Sequence, residues 1–236
     1  MYLLFYSAAV LVCMALLIAF NYRQITMWKI MLYIGWVYIL GIYGSRLLAT
    51  FESHPIHKIS VKDFFNSESG LTFYGGYVPI LIITLFFLRH VATSKADYLK
   101  KLAFFIIVFH LGYAIGRLGC HYSADGCYGS VTFSKFGMRY TWGIKPTLFP
   151  VYPTPLFETA LNTFLLVVFS TLFRFKRYNQ IVCTSFILFP LSRFLIEFIR
   201  NNSILALGFT LNQIISLFLM LAQPGLFFLR SKKIPL

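Results

Sequence analysis

Residues 101–119 read KLAFFIIVFHLGYAIGRLG. A lysine opens the run, an arginine stands near its end, and almost everything between them is apolar. This is about the length an α-helix needs to cross the ~30 Å hydrocarbon core of a bilayer. A buried helix of a soluble domain would also be apolar, so the rest of the chain must decide. Similar runs fall at about 2–20, 28–50, 71–88, 153–173, 179–199 and 208–230. Over 236 residues the chain is 58% hydrophobic and 12% charged, with a mean hydropathy of +0.74. Soluble domains carry about 25% charged residues, and so few charges cannot cover a globule in water. The expected fold is all-α: a polytopic membrane helix bundle of about seven transmembrane helices, with residues 1–236 as a single integral membrane domain. The run 2–20 has no basic leader and no small-residue cleavage site before Asn21, so it is read as a retained span.

Lysine and arginine positions orient the bundle. The links around 21–29, 89–101, 174–177 and 230–233 carry twelve of them, and the alternate links carry six. This places the N-terminus outside, the C-terminus inside, and 120–152 as the longest extracytoplasmic link after the fourth span. The net charge of +14 is thereby accounted for as topology, with no basic face of the size that nucleic acid requires. Cys120 and Cys127 share a loop region and can form a disulfide if that loop is extracytoplasmic. No zinc-type Cys pair is present, and the His54-Pro-Ile-His57 pair reads as polar loop residues, so no metal and no cofactor is expected.

Three arginines fall within the expected spans. An intramembrane charge costs roughly 2.5–3.5 kcal/mol on insertion scales, so each needs a reason. With the orientation above, Arg46, Tyr74, Arg117, Glu158, Arg193, Glu197 and Gln213 all lie toward the outer face, drawn from six helices. Arg193, Glu197 and Arg200 have the i, i+4, i+7 spacing of one helical face, and His110, Tyr113, Arg117 and His121 form a similar stripe. Taken singly, each arginine is equally well a side chain snorkelling to interfacial phosphates or paired structurally with a carboxylate. Snorkelling does not explain why tyrosine, carboxylates and an amide collect at the same level. A chamber holding several guanidinium groups near the outer interface suits a phospholipid headgroup, because the planar guanidinium matches phosphate oxygens. Gly75 and Gly76 beside Tyr74 would let backbone approach such a group closely.

Several ordered motifs run through these residues: Tyr43-Gly44-Ser45-Arg46, Gly70-Leu-Thr-Phe-Tyr-Gly-Gly76, Ala114-Ile-Gly-Arg-Leu-Gly-Cys120 continuing to Gly126-Cys-Tyr-Gly129, Tyr152-Pro-Thr-Pro-Leu-Phe-Glu158, Arg193-Phe-Leu-Ile-Glu-Phe-Ile-Arg200 and Thr210-Leu-Asn-Gln-Ile-Ile-Ser216. In this order the chain resembles the bacterial prolipoprotein diacylglyceryl transferase family. The resemblance implies an enzyme of the bacterial cytoplasmic membrane, active toward the extracytoplasmic side. Such an enzyme moves the diacylglyceryl group of phosphatidylglycerol to the cysteine thiol of a prolipoprotein signal sequence and releases glycerol phosphate. It implies Tyr74, Arg117, Arg193 and Glu197 as catalytic residues, with Arg117 and Arg193 facing phosphate and Glu197 orienting Arg193 or Arg200. It implies Arg46, Gly75, Gly76, His121, Glu158, Arg200 and Gln213 as substrate-binding residues. Tyr74 stands where the family has a histidine, which leaves His121 or His110 as replacement bases, and Cys120 stands where an asparagine is usual. Three alternatives stay open: a phospholipid-binding protein without catalysis, a related transferase with another acceptor, and an anion pathway lined by arginines.

Overall fold

The computed structural model describes residues 2–21, 25–53, 72–200, 204–206 and 208–228. His54, His57, nearly all of the 51–70 link and the C-terminal lysines lie outside the described residues. Among those described, the chain forms seven helices: α1 (Tyr2–Asn21), α2 (Met27–Ser53), α3 (Phe73–Val91), α4 (Lys95–Ser123), α5 (Thr154–Arg174), α6 (Tyr178–Glu197) and α7 (Leu211–Phe228). Five of them, α2 to α6, are long and apolar enough to cross a membrane. A short antiparallel ribbon, β1 (Ile204–Ala206) with β2 (Phe209–Thr210), adds a strand pair that the sequence reading did not include.

Burial has the sense expected of a protein dissolved in lipid. Phe86, Phe164, Leu195, Phe218 and Leu221 point outward, whereas Thr50, Thr84, His110, Asn162, Arg193 and Ser216 are buried. In water that arrangement would expose apolar surface and bury polar groups at a cost. In hydrocarbon the outward face is free to be apolar, and polar groups must find partners inside. The chain is therefore an all-α, polytopic membrane bundle.

Helix ends differ from the apolar runs where charges are neutralised locally. α4 begins six residues before the run at 101. Ser94 Oγ accepts from Asp97 N at 3.2 Å, and Asp97 accepts from the Thr93 amide and pairs with Lys101 at 2.5 Å. Lys101, which marks a loop by its charge, is in fact buried within the helix. Pairing with a carboxylate one turn away and donation to Val91 O make this possible. At the other end, Ala124 takes φ +43° and stops the helix after Ser123. α6 ends at Glu197, so Arg200 stands beyond the helix instead of continuing its face. Its amide bonds back to Glu197 O at 3.1 Å.

The described residues group into two compact units, residues 18–102 and residues 1–17 with 103–236. In the first, α2 and α3 pack antiparallel along their length. At one end Thr72 donates through both N and Oγ1 to Ser45 O at 3.3 Å; at the other Tyr33 meets Thr84 at 2.8 Å and stacks on Phe87. Between these ends the backbones touch. A Cβ at Gly75 would lie 2.8 Å from Leu48 Cβ and 2.9 Å from Ser45 Cα, and would run into Gly44 O. Only a residue without a side chain permits that approach. The second unit contains the site below.

Candidate active site

α4, α5 and α6 each contribute to one buried ionic cluster. Arg117 lies on α4 one turn after Tyr113, Glu158 near the start of α5, and Arg193 one turn before the end of α6. Glu158 forms ion pairs with Arg117 through Oε2 and with Arg193 through Oε1. The Tyr113 hydroxyl donates to Glu158 Oε2 at 3.1 Å. It accepts from Arg117 Nε and Nη2 at 3.0 Å and from Arg193 Nη1 at 3.3 Å. The Arg117 guanidinium also lies over the Tyr113 ring, 5.0 Å from its centroid, a cation–π arrangement. Arg193 is 2% exposed and Arg117 9%, so Arg117 is the more accessible of the two.

The i, i+4 step that carries Tyr113 to Arg117 recurs on α5, where Asn162 follows Glu158 by one turn and donates to Glu158 O at 2.7 Å. Asn162 Oδ1 meets His110 Nδ1 at 2.7 Å, and Ser185 Oγ meets His110 Nε2 at 3.3 Å. Both ring nitrogens of His110 are therefore engaged in a closed network, flanked by Phe109, Phe169 and Phe189. Neither Asn162 nor Ser185 was singled out from sequence. The spacing of Asn162 from Glu158 was the available signal.

A second polar group lies where α6 gives way to α7. Glu197 Oε1 accepts from Thr210 Oγ1 at 3.1 Å and Asn212 Nδ2 at 2.9 Å, so it holds the start of α7 against the end of α6. Gln213 is part of a capping box. Its Oε1 accepts from Thr210 N at 3.0 Å while Thr210 Oγ1 accepts from Gln213 N at 3.3 Å. Through its oxygen Gln213 thus starts a helix, which is why α7 begins at Leu211 and not at 208. The Thr210-Leu-Asn-Gln213 pattern contained that signal.

The link 124–153 folds onto this unit. Ala124, Tyr140 and Val151 form a small core, with Tyr128 stacked on Tyr140 at 4.9 Å. Burial pushes the Tyr140 phenol up to about 12. His121 bonds through Nδ1 to Tyr140 OH at 3.0 Å and lies edge-on to Tyr122, Tyr140 and Trp142, so its imidazole is held by the link. Ser130 donates through N and Oγ to Ile199 O, and Thr154 Oγ1 donates to Cys127 O at 2.7 Å. Gly126-Cys-Tyr-Gly129 therefore anchors the link beside the residues that follow α6.

A family model described as prolipoprotein diacylglyceryl transferase matches residues 1–229. The chain belongs to that family. Among similar proteins, the phosphatidylglycerol–prolipoprotein diacylglyceryl transferase of Leptospira interrogans is 36% identical over 151 residues, covering 61% of this chain and 46% of that protein. The enzyme of the same name from Campylobacter lari is 29% identical over 219 residues, covering 85% and 77%. That from Chlorobaculum tepidum is 31% identical over 164 residues, covering 67% and 54%. The chain spans about half the length of the Leptospira and Chlorobaculum relatives.

For this member of the diacylglyceryl transferase family, the structure brings Arg117, Arg193 and Glu158 into one contact group, with Tyr113 added. It places Glu197 and Gln213 at the α6–α7 connection, Arg200 just past α6, and His121 under the link. Arg46, Tyr74, Gly75 and Gly76 belong to the other compact unit. There Tyr74 is buried, its ring 5.3 Å from Phe73 and 6.1 Å from Tyr77. Glu158, which the resemblance implied as a substrate-binding residue, is the hub of this contact group. It is the acidic group that Arg117 and Arg193 both contact.

Proposed function

We propose that this chain transfers the diacylglyceryl group of phosphatidylglycerol to the cysteine thiol of a prolipoprotein signal sequence, releasing glycerol phosphate. The supporting observation is the convergence of Arg117 and Arg193, from separate helices, on the single carboxylate of Glu158. Glu158 thereby gathers two guanidiniums at one buried point, where water screens their charge only weakly. In the reaction the thiol loses its proton and the sulfur attacks the terminal glyceryl carbon. The S–C bond forms as the C–O bond to phosphate breaks, and the electron pair stays on the leaving phosphate oxygen. Arg117, the more accessible arginine, meets that developing charge, while Arg193 and Tyr113 hold Glu158 and through it the orientation of Arg117. Glu197, Arg200, Gln213 and His121 are proposed as positioning groups around this cluster. Tyr74, Gly75, Gly76 and Arg46 are proposed as substrate-handling residues on their motifs alone.

The proposed placement is a bacterial cytoplasmic membrane domain of seven spans, with the N-terminus and the 124–153 link outside and the C-terminus inside. The lysine and arginine bias supports it. The test is reconstitution with labelled phosphatidylglycerol and a lipobox peptide. Thioether-linked peptide and glycerol phosphate are expected in equal amounts, and the absence of both, with a working relative as control, would overturn the reading. The substitution of Tyr74 for a histidine, together with its burial against Phe73 and Tyr77, favours one alternative, lipid binding without turnover. Phosphatidylglycerol retained by the protein but recovered unreacted would establish that alternative.

A further inference from the structure

The geometry points to a covalent site that the transfer reaction does not use: Cys120 and Cys127 form a dithiol that closes into an intramolecular disulfide. The two sulfurs and a carboxylate oxygen of Asp125 lie within 4.8 Å of one another.

Local backbone brings them together. Cys120 lies in the last turn of α4, and Ala124, in the left-handed region at φ +43°, ends that helix. The Cys127 amide then donates to Asp125 Oδ1 at 3.0 Å, and Gly126 takes φ +96°, so the chain folds back on the helix end. Thr154 Oγ1 fixes the Cys127 carbonyl at 2.7 Å. The eight-residue segment from Cys120 to Cys127 is thus already a ring in outline, and oxidation needs only the S–S bond. A metal is the weaker reading of the same trio, because the positive side chains of Arg117 and Arg200 act electrostatically on Cys127.

The neighbouring Cys120 thiol and, to a smaller degree, Arg117 and Arg200 hold the Cys127 thiol below the usual cysteine range. Cys127 is also the more exposed of the two, which makes it the attacking sulfur. Its thiolate attacks a small-molecule or protein disulfide. That S–S bond breaks, and the departing thiolate takes up a proton. Cys120, deprotonated, then attacks the mixed disulfide at the Cys127 sulfur and expels the second thiol. Two protein thiol hydrogens and two electrons pass to the oxidant disulfide, which becomes two thiols. The product joins the helix end three residues past Arg117 to the segment that Thr154 holds at the start of α5, and so braces two walls of the ionic cluster. Closure in the cell rests on the proposed extracytoplasmic placement of the link.

The test uses the full chain in detergent, treated with oxidised glutathione, denatured and titrated for thiols. The four free thiols should fall to two, peptide mapping should join Cys120 to Cys127, and reductant should restore four. Cys13→Ser with Cys183→Ser should leave the bridge intact, and Cys127→Ser should abolish it. Persistence of four thiols, a bridge through Cys13 or Cys183, or stoichiometric zinc protecting the pair would each overturn the assignment. The same map made from intact cells, with thiols blocked before lysis, tests the compartment. A pair that closes in detergent but stays reduced in cells upholds the dithiol and overturns the outward placement of the link, so the two failures are told apart.

Discussion

The α2–α3 pair and the α4–α5–α6 cluster solve the same problem, helix association in lipid, by opposite means. Where α2 packs on α3, Gly44, Gly75 and Gly76 strip away side chains until backbone meets backbone. Where α4, α5 and α6 meet, Glu158 sits between Arg117 and Arg193 with Tyr113 beside them. Dispersion between close backbones needs no partner of special chemistry. A buried charge needs its counter-charge, and loses most of its tolerance when that partner is removed. The first kind of contact holds a fold together. The second holds it together while gathering two guanidiniums where the proposed reaction calls for positive charge.

The contrast is open to direct attack. Glu158→Ala should have the largest effect, because it leaves two buried guanidiniums without their shared carboxylate. A loss of about 3–5 kcal/mol is expected, visible as a collapse of the thermal midpoint in detergent. Replacing Glu158 and Arg193 together by apolar residues of similar size should recover part of that loss. If the double variant is as unstable as the sum of the singles, Glu158 and Arg193 do not act as a pair.

Arg117→Ala should separate function from folding. Arg193 still holds Glu158 in this variant, so the protein is expected to fold. Transfer should fall about 10²–10³-fold, the usual effect of removing one group that stabilises a developing anion. Reconstituted turnover with phosphatidylglycerol measures it. Unchanged turnover would remove Arg117 from the proposed reaction.

Gly75→Ala should act first on the α2–α3 contact. Its added methyl meets Leu48, Ser45 and the Gly44 carbonyl, and overpacking of this kind costs about 1–3 kcal/mol. The thermal midpoint should drop, and because Gly75 is also proposed to handle substrate, the folded fraction should show a raised KM for phosphatidylglycerol. The smallest effect is expected for Thr84→Val. It removes the Tyr33–Thr84 bond of 2.8 Å and should cost about 1 kcal/mol, since interhelical hydrogen bonds in membranes average about 0.6. A larger loss would mean that the glycine contact depends on its polar end.

The cluster was legible in part. Arg117, Arg193 and Glu158 stood out because an ionisable group in an apolar run needs an explanation, and that cost is independent of the fold. Lys101 was misplaced by the same logic in reverse, since a charge neutralised by Asp97 within one helical turn no longer marks a boundary. Gln213, expected as a headgroup ligand, also caps α7 through its oxygen. The capping box is written in Thr210 and Gln213 themselves, but a buried amide near a membrane face fits either role until its partner is seen.

What the sequence determined by itself is the solvent of this protein and the inventory of its helices. Length, hydropathy and the spacing of charges act locally, and each apolar run must satisfy its own backbone hydrogen bonds whatever surrounds it. What only the tertiary structure decided is the pairing: that Glu158 serves both arginines, that Glu197 turns to Thr210 and Asn212, and that His110 closes on Asn162 and Ser185. A carboxylate on one helix is attracted to a cation on any other, and Coulomb attraction does not choose among them. Packing chooses, by setting which side chains come within reach.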